Sequence, residues 1–269
     1  MLKKILPVLV ALTALLTAAA PASAAPSSGV DDWRCRPSAA HPRPVVLLHG
    51  MTGNRDTWAF GAPRIAAAGH CVFTTTYGRT PGGPGLGLGG FAPITESSLE
   101  IASFVDAVLA ATGSTQVDLV GHSEGGFQAL YVTKVLGYAP KVGTVVGLAP
   151  STDLASTLPL LELAGGCPAC HEMVRGGAAW TPLHDGPITV PGVRYSMIAT
   201  RLDLIAVPAG PASFIREPGV RNQFIQDTCP LDPVGHMSVV HDSSAIDLAV
   251  DALDPGAGHR VRCGLGLPV

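Results

Sequence analysis

Short apolar runs alternate along this chain with segments in which apolar residues recur at helical spacing. The runs are rich in Val, Leu and Ile and nearly continuous, as in strands that are buried on both faces of a parallel sheet. Together they predict six strands, over residues 44–49, 70–77, 116–120, 142–148, 194–200 and 223–226.

Helical segments lie between these runs. Apolar residues three and four positions apart predict helices over 54–68, 95–111, 127–136 and 244–253. Asn54 or Asp56 suits the cap of the first helix, and Ser97 with Glu100 has the pattern of a capping box in the second. Strands that alternate with helices predict an α/β fold with a mostly parallel, doubly wound sheet.

The first 24 residues have the pattern of a secretory signal peptide. Lys3 and Lys4 precede an apolar run, and Ala22-Ser23-Ala24 is a small-residue cleavage site. A membrane anchor is the alternative, but the run is short for a membrane span and Pro7 interrupts it. We therefore expect cleavage near Ala24 and a secreted, extracellular protein.

After this segment we expect an arm over 25–43 and one domain over 44–269. Residues 25–43 are rich in Pro, Ser and Ala, which favours irregular structure. The remaining length is sufficient for a single α/β domain with its own core. Periodicity fades over about 151–191, so we expect a small cap-like insertion there.

Charge and composition exclude several classes of partner. Charged residues make up 14% of the chain and the formal net charge is −3, so no basic surface is expected to bind nucleic acid. No other apolar run is long enough to anchor the protein stably in a membrane, and we expect a monomer. Gly85 to Gly90 spells G-x-G-x-x-G, but these glycines do not open directly into a helix, which argues against a dinucleotide site.

Six cysteines in an exported chain predict three disulfides, because that compartment is oxidising. Six cysteines allow 15 pairings. We favour Cys35–Cys71, which would tie the arm to an early strand, Cys167–Cys170 within the insertion, and Cys229–Cys263, which would tie the tail to the core. For Cys167-x-x-Cys170, redox chemistry or zinc binding is the alternative, but no second cysteine pair completes a zinc site.

The most specific motif is Gly121-His122-Ser123-Glu124-Gly125. It matches G-x-S-x-G, follows an apolar strand and precedes a helical segment, which is the context of a nucleophile elbow. Because glycine makes up 32 of 269 residues, an inert serine in a tight turn is the alternative. We predict that Ser123 is a nucleophile.

A serine hydroxyl needs a histidine base and an acid that orients the histidine. Asp203 follows the fifth predicted strand and His236 follows the sixth, in the order Ser, Asp, His that an elbow serine requires. The rival acids are Asp185 and Asp227, and the rival bases are His122 and His241. We favour Asp203 and His236 as the acid and the base.

The tetrahedral oxyanion needs two backbone donors. The N–H of Glu124 directly follows the nucleophile, and the N–H of Met51 lies in the loop after the first strand, where Gly50 permits a close approach to substrate. His49 is interpreted as structural.

These motifs together resemble a known family. Residues 47–54, 121–126, 200–203 and 235–238 are similar to segments of secreted actinobacterial lipases of the α/β-hydrolase superfamily, near the class-2 lipase group, and the similarity covers most of residues 44–250. It implies an α/β-hydrolase fold and hydrolysis of carboxylic esters, usually acylglycerols, with no metal or organic cofactor. Glu124 departs from the methionine or glutamine of many relatives, which puts acyl preference in question.

The leading hypothesis is thus a secreted lipase with a Ser-His-Asp acyl-enzyme mechanism. A short-chain carboxylesterase, a polyester hydrolase or an acyltransferase would use the same residues, and a catalytically silent binding protein is the alternative from another class. Leu86, Leu88, Phe91 and the leucines of 158–163 are candidates for an apolar acyl groove.

Overall fold

The computed structural model describes residues 29–80, 87–156 and 167–269. The predicted signal peptide over 1–24, Leu86 and the leucines of 158–163 lie outside the described residues. Among the residues that are described, no helix is long and apolar enough to span a membrane.

Six parallel strands form one sheet in the order β2-β1-β3-β4-β5-β6. Each strand corresponds to one of the predicted apolar runs. The strands are β1 Val45–Leu48, β2 Val72–Thr74, β3 Val117–His122, β4 Val142–Leu148, β5 Arg194–Ala199 and β6 Arg221–Phe224.

Helices cover both faces of the sheet, as expected for a doubly wound fold. Val46 and Leu48 of β1 pack on one face with the helices that flank β3, whereas Val45 and Leu47 point to the opposite face and its own apolar cluster. The α-helices of the described residues are α1 Gly61–Ala67, α2 Ile94–Thr112, α3 Glu124–Lys134, α4 Pro168–Met173, α5 Trp180–His184, α6 Ile225–Thr228 and α7 Ser243–Leu253.

Several predicted boundaries were wrong. The predicted helix over 54–68 is divided into a short 3₁₀ turn, Arg55–Trp58, and α1, although Asn54 does accept a hydrogen bond from the N–H of Asp56, as predicted. The capping box at Ser97 and Glu100 does not form, because α2 already begins at Ile94. Glu100 instead accepts a hydrogen bond from the backbone of Gly78.

The three predicted disulfides are present: Cys35–Cys71, Cys167–Cys170 and Cys229–Cys263. The first joins the arm to the residue before β2, and the third joins the segment after α6 to the C-terminal tail. The described part of the segment predicted to be an insertion contains α4 and α5, and the disulfide Cys167–Cys170 lies at the start of α4. Three disulfides are consistent with an extracellular protein.

Candidate active site

Ser123 occupies a strained turn between β3 and α3. Its backbone has φ 53° and ψ −119°, a conformation that non-glycine residues rarely adopt. A Cβ at Gly121 would lie 2.2 Å from the carbonyl oxygen of Gly125, and a Cβ at Gly125 would lie 2.3 Å from that of Leu48. The two glycines therefore permit the tight packing that holds the serine in this conformation.

A chain of two hydrogen bonds links Ser123, His236 and Asp203. The Oγ of Ser123 lies 2.8 Å from Nε2 of His236, and Nδ1 of His236 lies 2.8 Å from Oδ2 of Asp203. His236 and Asp203 are almost completely buried. Since a carboxylate can only accept, Nδ1 donates to Asp203, and Nε2 is left to accept the serine proton.

Backbone donors fix the second oxygen of Asp203. Its Oδ1 accepts from the N–H groups of Ile205, at 2.9 Å, and Ala206, at 2.7 Å. The loop after β5 thus satisfies one side of the carboxylate and leaves the other side for His236. These backbone bonds hold the carboxylate in the orientation in which Oδ2 faces Nδ1 of His236.

The C-terminal tail holds the loop that carries His236. The N–H of Gly235 donates to the carbonyl of Leu267 at 2.9 Å, and the N–H of Met237 donates to that of Val269 at 2.8 Å. No sequence motif pointed to this contact. The contact consists of backbone hydrogen bonds, which residues of any type can form, so the sequence does not indicate it.

His122 also supports the base. Its Nε2 donates to the carbonyl of His236 at 2.9 Å. Burial, together with the nearby His236, lowers the pKa of His122 to about 3, so the ring is neutral. His122 is therefore a neighbour that positions the base, rather than a base itself.

The other rival residues lie away from this constellation. His241 is exposed in the short turn before α7. Asp227 pairs with Arg201 and accepts from the N–H of Phe224. Asp185 is exposed after α5. The structure brings together Ser123, His236 and Asp203, and leaves these rivals outside.

Two backbone N–H groups near Ser123 have no hydrogen-bond acceptor within the described part of the chain. They belong to Met51 and Glu124, the two residues predicted to donate to an oxyanion. Glu124 is the first residue of α3, where the helix end adds a partial positive charge. Thr52, next to Met51, has φ 61°, so the loop after β1 is also strained.

The side chain of Glu124 is buried without a hydrogen-bond partner for either carboxylate oxygen in the described residues. Burial raises the pKa of this carboxyl to about 8, and the proximity of Gln128 opposes the rise without forming a bond of acceptable geometry. The acid is consequently neutral near pH 7. A Cβ at Gly90 would lie 2.7 Å from Oε2 of Glu124 and 2.8 Å from Cα of Met51, so the carboxyl borders the oxyanion loop.

Met51 also links this loop to the insertion. Its Sδ lies 3.5 Å from Sγ of Cys167 and 3.4 Å from Sγ of Cys170. The insertion disulfide thus packs against the residue that presents one candidate oxyanion donor. Sequence analysis did not connect the two, because nothing in the spacing relates residue 51 to residues 167–170.

Two further polar residues complete the site. His49 is structural, as predicted: it stacks on Tyr77 with ring centroids 4.3 Å apart, and burial lowers its pKa to about 4. Ser151, which sequence analysis missed, places its Oγ 3.3 Å from that of Ser123. It follows β4, and the adjacent Ser and Thr residues there gave no distinguishing signal.

Comparisons with known proteins identify the fold and the proteins that this chain resembles. A family model described as the α/β hydrolase fold matches residues 43–165. The chain is 31% identical over 117 residues to a triacylglycerol lipase of Pseudarthrobacter phenanthrenivorans, covering 40% of this chain and 34% of the relative. It is 29% identical over 117 residues to a triacylglycerol lipase of Burkholderia plantarii, covering 40% and 30%. The match thus spans about a third of each curated relative.

A solved structure extends the match over most of the chain. Lipase B of Aspergillus fumigatus superposes with a TM-score of 0.64 at 19% identity, covering 84% of this chain and 54% of that one. The chain has the α/β-hydrolase fold. Within that fold it is similar in sequence to lipases.

Proposed function

We propose that this protein is a secreted serine hydrolase that cleaves carboxylic esters, with acylglycerols as the substrate class. The observation that carries the proposal is the continuous relay from Ser123 Oγ through His236 to Asp203, with both contacts at 2.8 Å. These are the distances that proton transfer to a general base requires.

In this mechanism Ser123 attacks the ester carbonyl while Nε2 of His236 takes the hydroxyl proton. Asp203 stabilises the imidazolium that forms and keeps Nδ1 protonated. The N–H groups of Met51 and Glu124 donate to the oxyanion. His236 then protonates the leaving alcohol, and a water molecule activated by the same histidine releases the acid from Ser123.

Exposed apolar side chains near the site support a lipid-like substrate. Leu202, Leu204 and Val207 lie in the loop that carries Asp203, and Met237 follows His236. All four are at least 45% exposed, and Leu204 is 78% exposed. An apolar acyl chain or a lipid surface would cover these side chains and remove their apolar area from water.

An ester panel of graded acyl length tests the proposal on the wild type and Ser123→Ala. We expect turnover of medium and long acyl esters, and a loss of roughly 10⁴-fold or more in kcat for the variant. Full activity of Ser123→Ala would refute the mechanism. Preference for short soluble esters alone would make the protein a carboxylesterase, and transfer to an added alcohol in preference to water would make it an acyltransferase.

An active-site phosphonate provides an independent readout. It should label Ser123 in the wild type and in His241→Ala, but not in His236→Ala, since of these two histidines it is His236 that contacts the nucleophile. Equal loss of labelling in both histidine variants would contradict the assignment of the base.

A further inference from the structure

Three histidines and one aspartate meet on the side of the molecule opposite to Ser123. His41 lies in the arm, His70 directly precedes Cys71 and β2, Asp254 follows the last residue of α7, and His259 lies in the tail. Because the strands are parallel, the start of β2 and the end of β3 are at opposite edges of the sheet. This histidine cluster therefore has no contact with the candidate active site.

The nitrogen atoms of the cluster converge on a single oxygen. Oδ2 of Asp254 lies 2.9 Å from Nε2 of His70, 3.0 Å from Nδ1 of His41 and 3.9 Å from Nε2 of His259. One ligand atom from each of His41, His70 and Asp254 lies within 4.8 Å of the others. Two ligands of a tetrahedral zinc ion are about 3.3 Å apart, given bonds of about 2.0–2.1 Å. The observed separations bracket this value.

One hydrogen bond, between Nε2 of His70 and Oδ2 of Asp254, accounts for part of this convergence but not for the approach of the other two histidines. Nδ1 of His41 and Nε2 of His259 are buried and have no hydrogen-bond partner in the described residues, although both approach the carboxylate. A buried polar atom without a partner costs free energy. Nδ1 of His41 and Nε2 of His259 both face Oδ2 of Asp254. This is the arrangement expected of three atoms that bind the same cation.

We propose that His41, His70, Asp254 and His259 bind a divalent transition-metal ion of the zinc class. Three imidazole nitrogens and one carboxylate oxygen are ligands that Zn²⁺ accepts in tetrahedral geometry. Ca²⁺ and Mg²⁺ require mainly oxygen ligands, which the cluster does not supply. This proposal departs from the sequence-based expectation of no metal, and the ion takes no part in ester hydrolysis.

The ion would join four segments that are distant in sequence: the arm, the start of β2, the end of α7 and the tail. The disulfide Cys35–Cys71 lies beside it, since Cys71 follows His70. Metal binding that occurs only in the folded state stabilises that state in proportion to the logarithm of free metal. The role we infer is structural, at the edge of the sheet away from catalysis.

Calorimetric titration of chelator-treated protein with zinc chloride tests the proposal. We expect saturable binding of one equivalent in the wild type and a melting temperature that rises with free zinc. His41→Ala and His259→Ala, which alter partly exposed side chains, should weaken binding at least about tenfold. His171→Ala, which removes an exposed histidine of α4, is the matched control and should bind as the wild type does.

Cobalt provides a readout that needs no variant. Co²⁺ added to the metal-free wild type should produce the intense visible absorption of a tetrahedral site, and zinc should displace it. Absence of this spectrum, absence of saturable zinc binding, or equal binding by all three variants would overturn the proposal and leave a hydrogen-bonded cluster without metal.

Discussion

The two edges of the sheet are stabilised in different ways. At the carboxyl edge, β1, β3 and β4 are followed by Thr52, Ser123 and Ala149, whose φ values are 61°, 53° and 43°. At the amino edge the links are a disulfide, Cys35–Cys71, and an ion pair at 2.7 Å between Arg43 and the buried Asp118. Backbone strain is thus concentrated at the carboxyl edge, where the candidate catalytic groups lie, whereas the amino edge is held by a disulfide and an ion pair.

Unsatisfied polar groups mark the carboxyl edge as well. The N–H groups of Met51 and Glu124 and the carboxyl of Glu124 have no acceptor or donor among the described residues. Such groups destabilise the free protein but are available to a substrate or an oxyanion. Because the two edges differ in this way, substitutions at the carboxyl edge should mainly change activity. Substitutions at the amino edge should mainly change stability.

The largest expected effect comes from two buried aspartates, one at each edge. Asp203→Asn keeps the shape of the side chain but no longer stabilises the imidazolium of His236, so kcat should fall by roughly 10⁴-fold. Asp118→Asn removes the charge that Arg43 contacts at 2.7 Å. It should leave kcat within about twofold and cost on the order of 1 kcal/mol of unfolding free energy.

Steady-state kinetics and urea unfolding of both variants measure this contrast. A large loss of kcat in Asp118→Asn would show that a change at the amino edge impairs catalysis at the carboxyl edge. Activity in Asp203→Asn close to that of the wild type would move the catalytic acid elsewhere.

Two disulfides of nearly equal span provide a smaller but matched comparison. The paired cysteines of Cys35–Cys71 and Cys229–Cys263 are 36 and 34 positions apart in the sequence, so loop closure alone predicts about 4 kcal/mol for each. Only the second leads into the tail that binds the backbone of Gly235 and Met237 beside His236.

Serine replacement of each cysteine pair should therefore lower the melting temperature by similar amounts. At a temperature where both variants are folded, the variant without Cys229–Cys263 should lose kcat by roughly tenfold or more, because a displaced base transfers the proton less efficiently. Equal kcat values would mean that backbone contacts of the tail are sufficient to hold the histidine loop.

The strands differ in how closely the sequence predicted them. The runs that gave β1, β3 and β4 are buried on both faces, so their apolar composition is strong and their strands were predicted within two residues. β6 is short and partly exposed, and its predicted segment continues instead into α6. Weak burial leaves a weak pattern.

The predicted site residues depended on order along the chain. Ser123, Asp203 and His236 each follow a strand of a parallel sheet, and parallel strands end at one edge, which is why sequence order alone brought them together. The contacts of Met51 with the insertion disulfide, and of the tail with the His236 loop, involve segments that no local pattern relates. The histidine cluster at the amino edge was missed for the same reason.

The smallest expected effect concerns the protonation of Glu124. Its pKa of about 8 lies above that of an exposed glutamate, so the folded state binds the proton more tightly than the unfolded state does. This contribution to stability is fully present below about pH 4.3, falls as pH rises through the window between the two pKa values, and does not change further above pH 8. Glu124→Gln removes the titration while keeping the size of the side chain, and should therefore melt a few degrees higher than the wild type at pH 8.

The same substitution tests whether this carboxyl affects the oxyanion. In the wild type, ionisation above pH 8 places a negative charge beside the Met51 loop and should lower kcat, because it opposes the developing oxyanion. In Glu124→Gln the alkaline decrease should be absent, while kcat near pH 7 changes little, since the backbone N–H is retained. Melting temperatures and kcat, measured from pH 5 to pH 10 in both proteins, test whether ionisation of Glu124 changes stability and catalysis. Parallel profiles across this range would show that Glu124 does not titrate there, and that the carboxyl edge tolerates an unpartnered acid without consequence for catalysis.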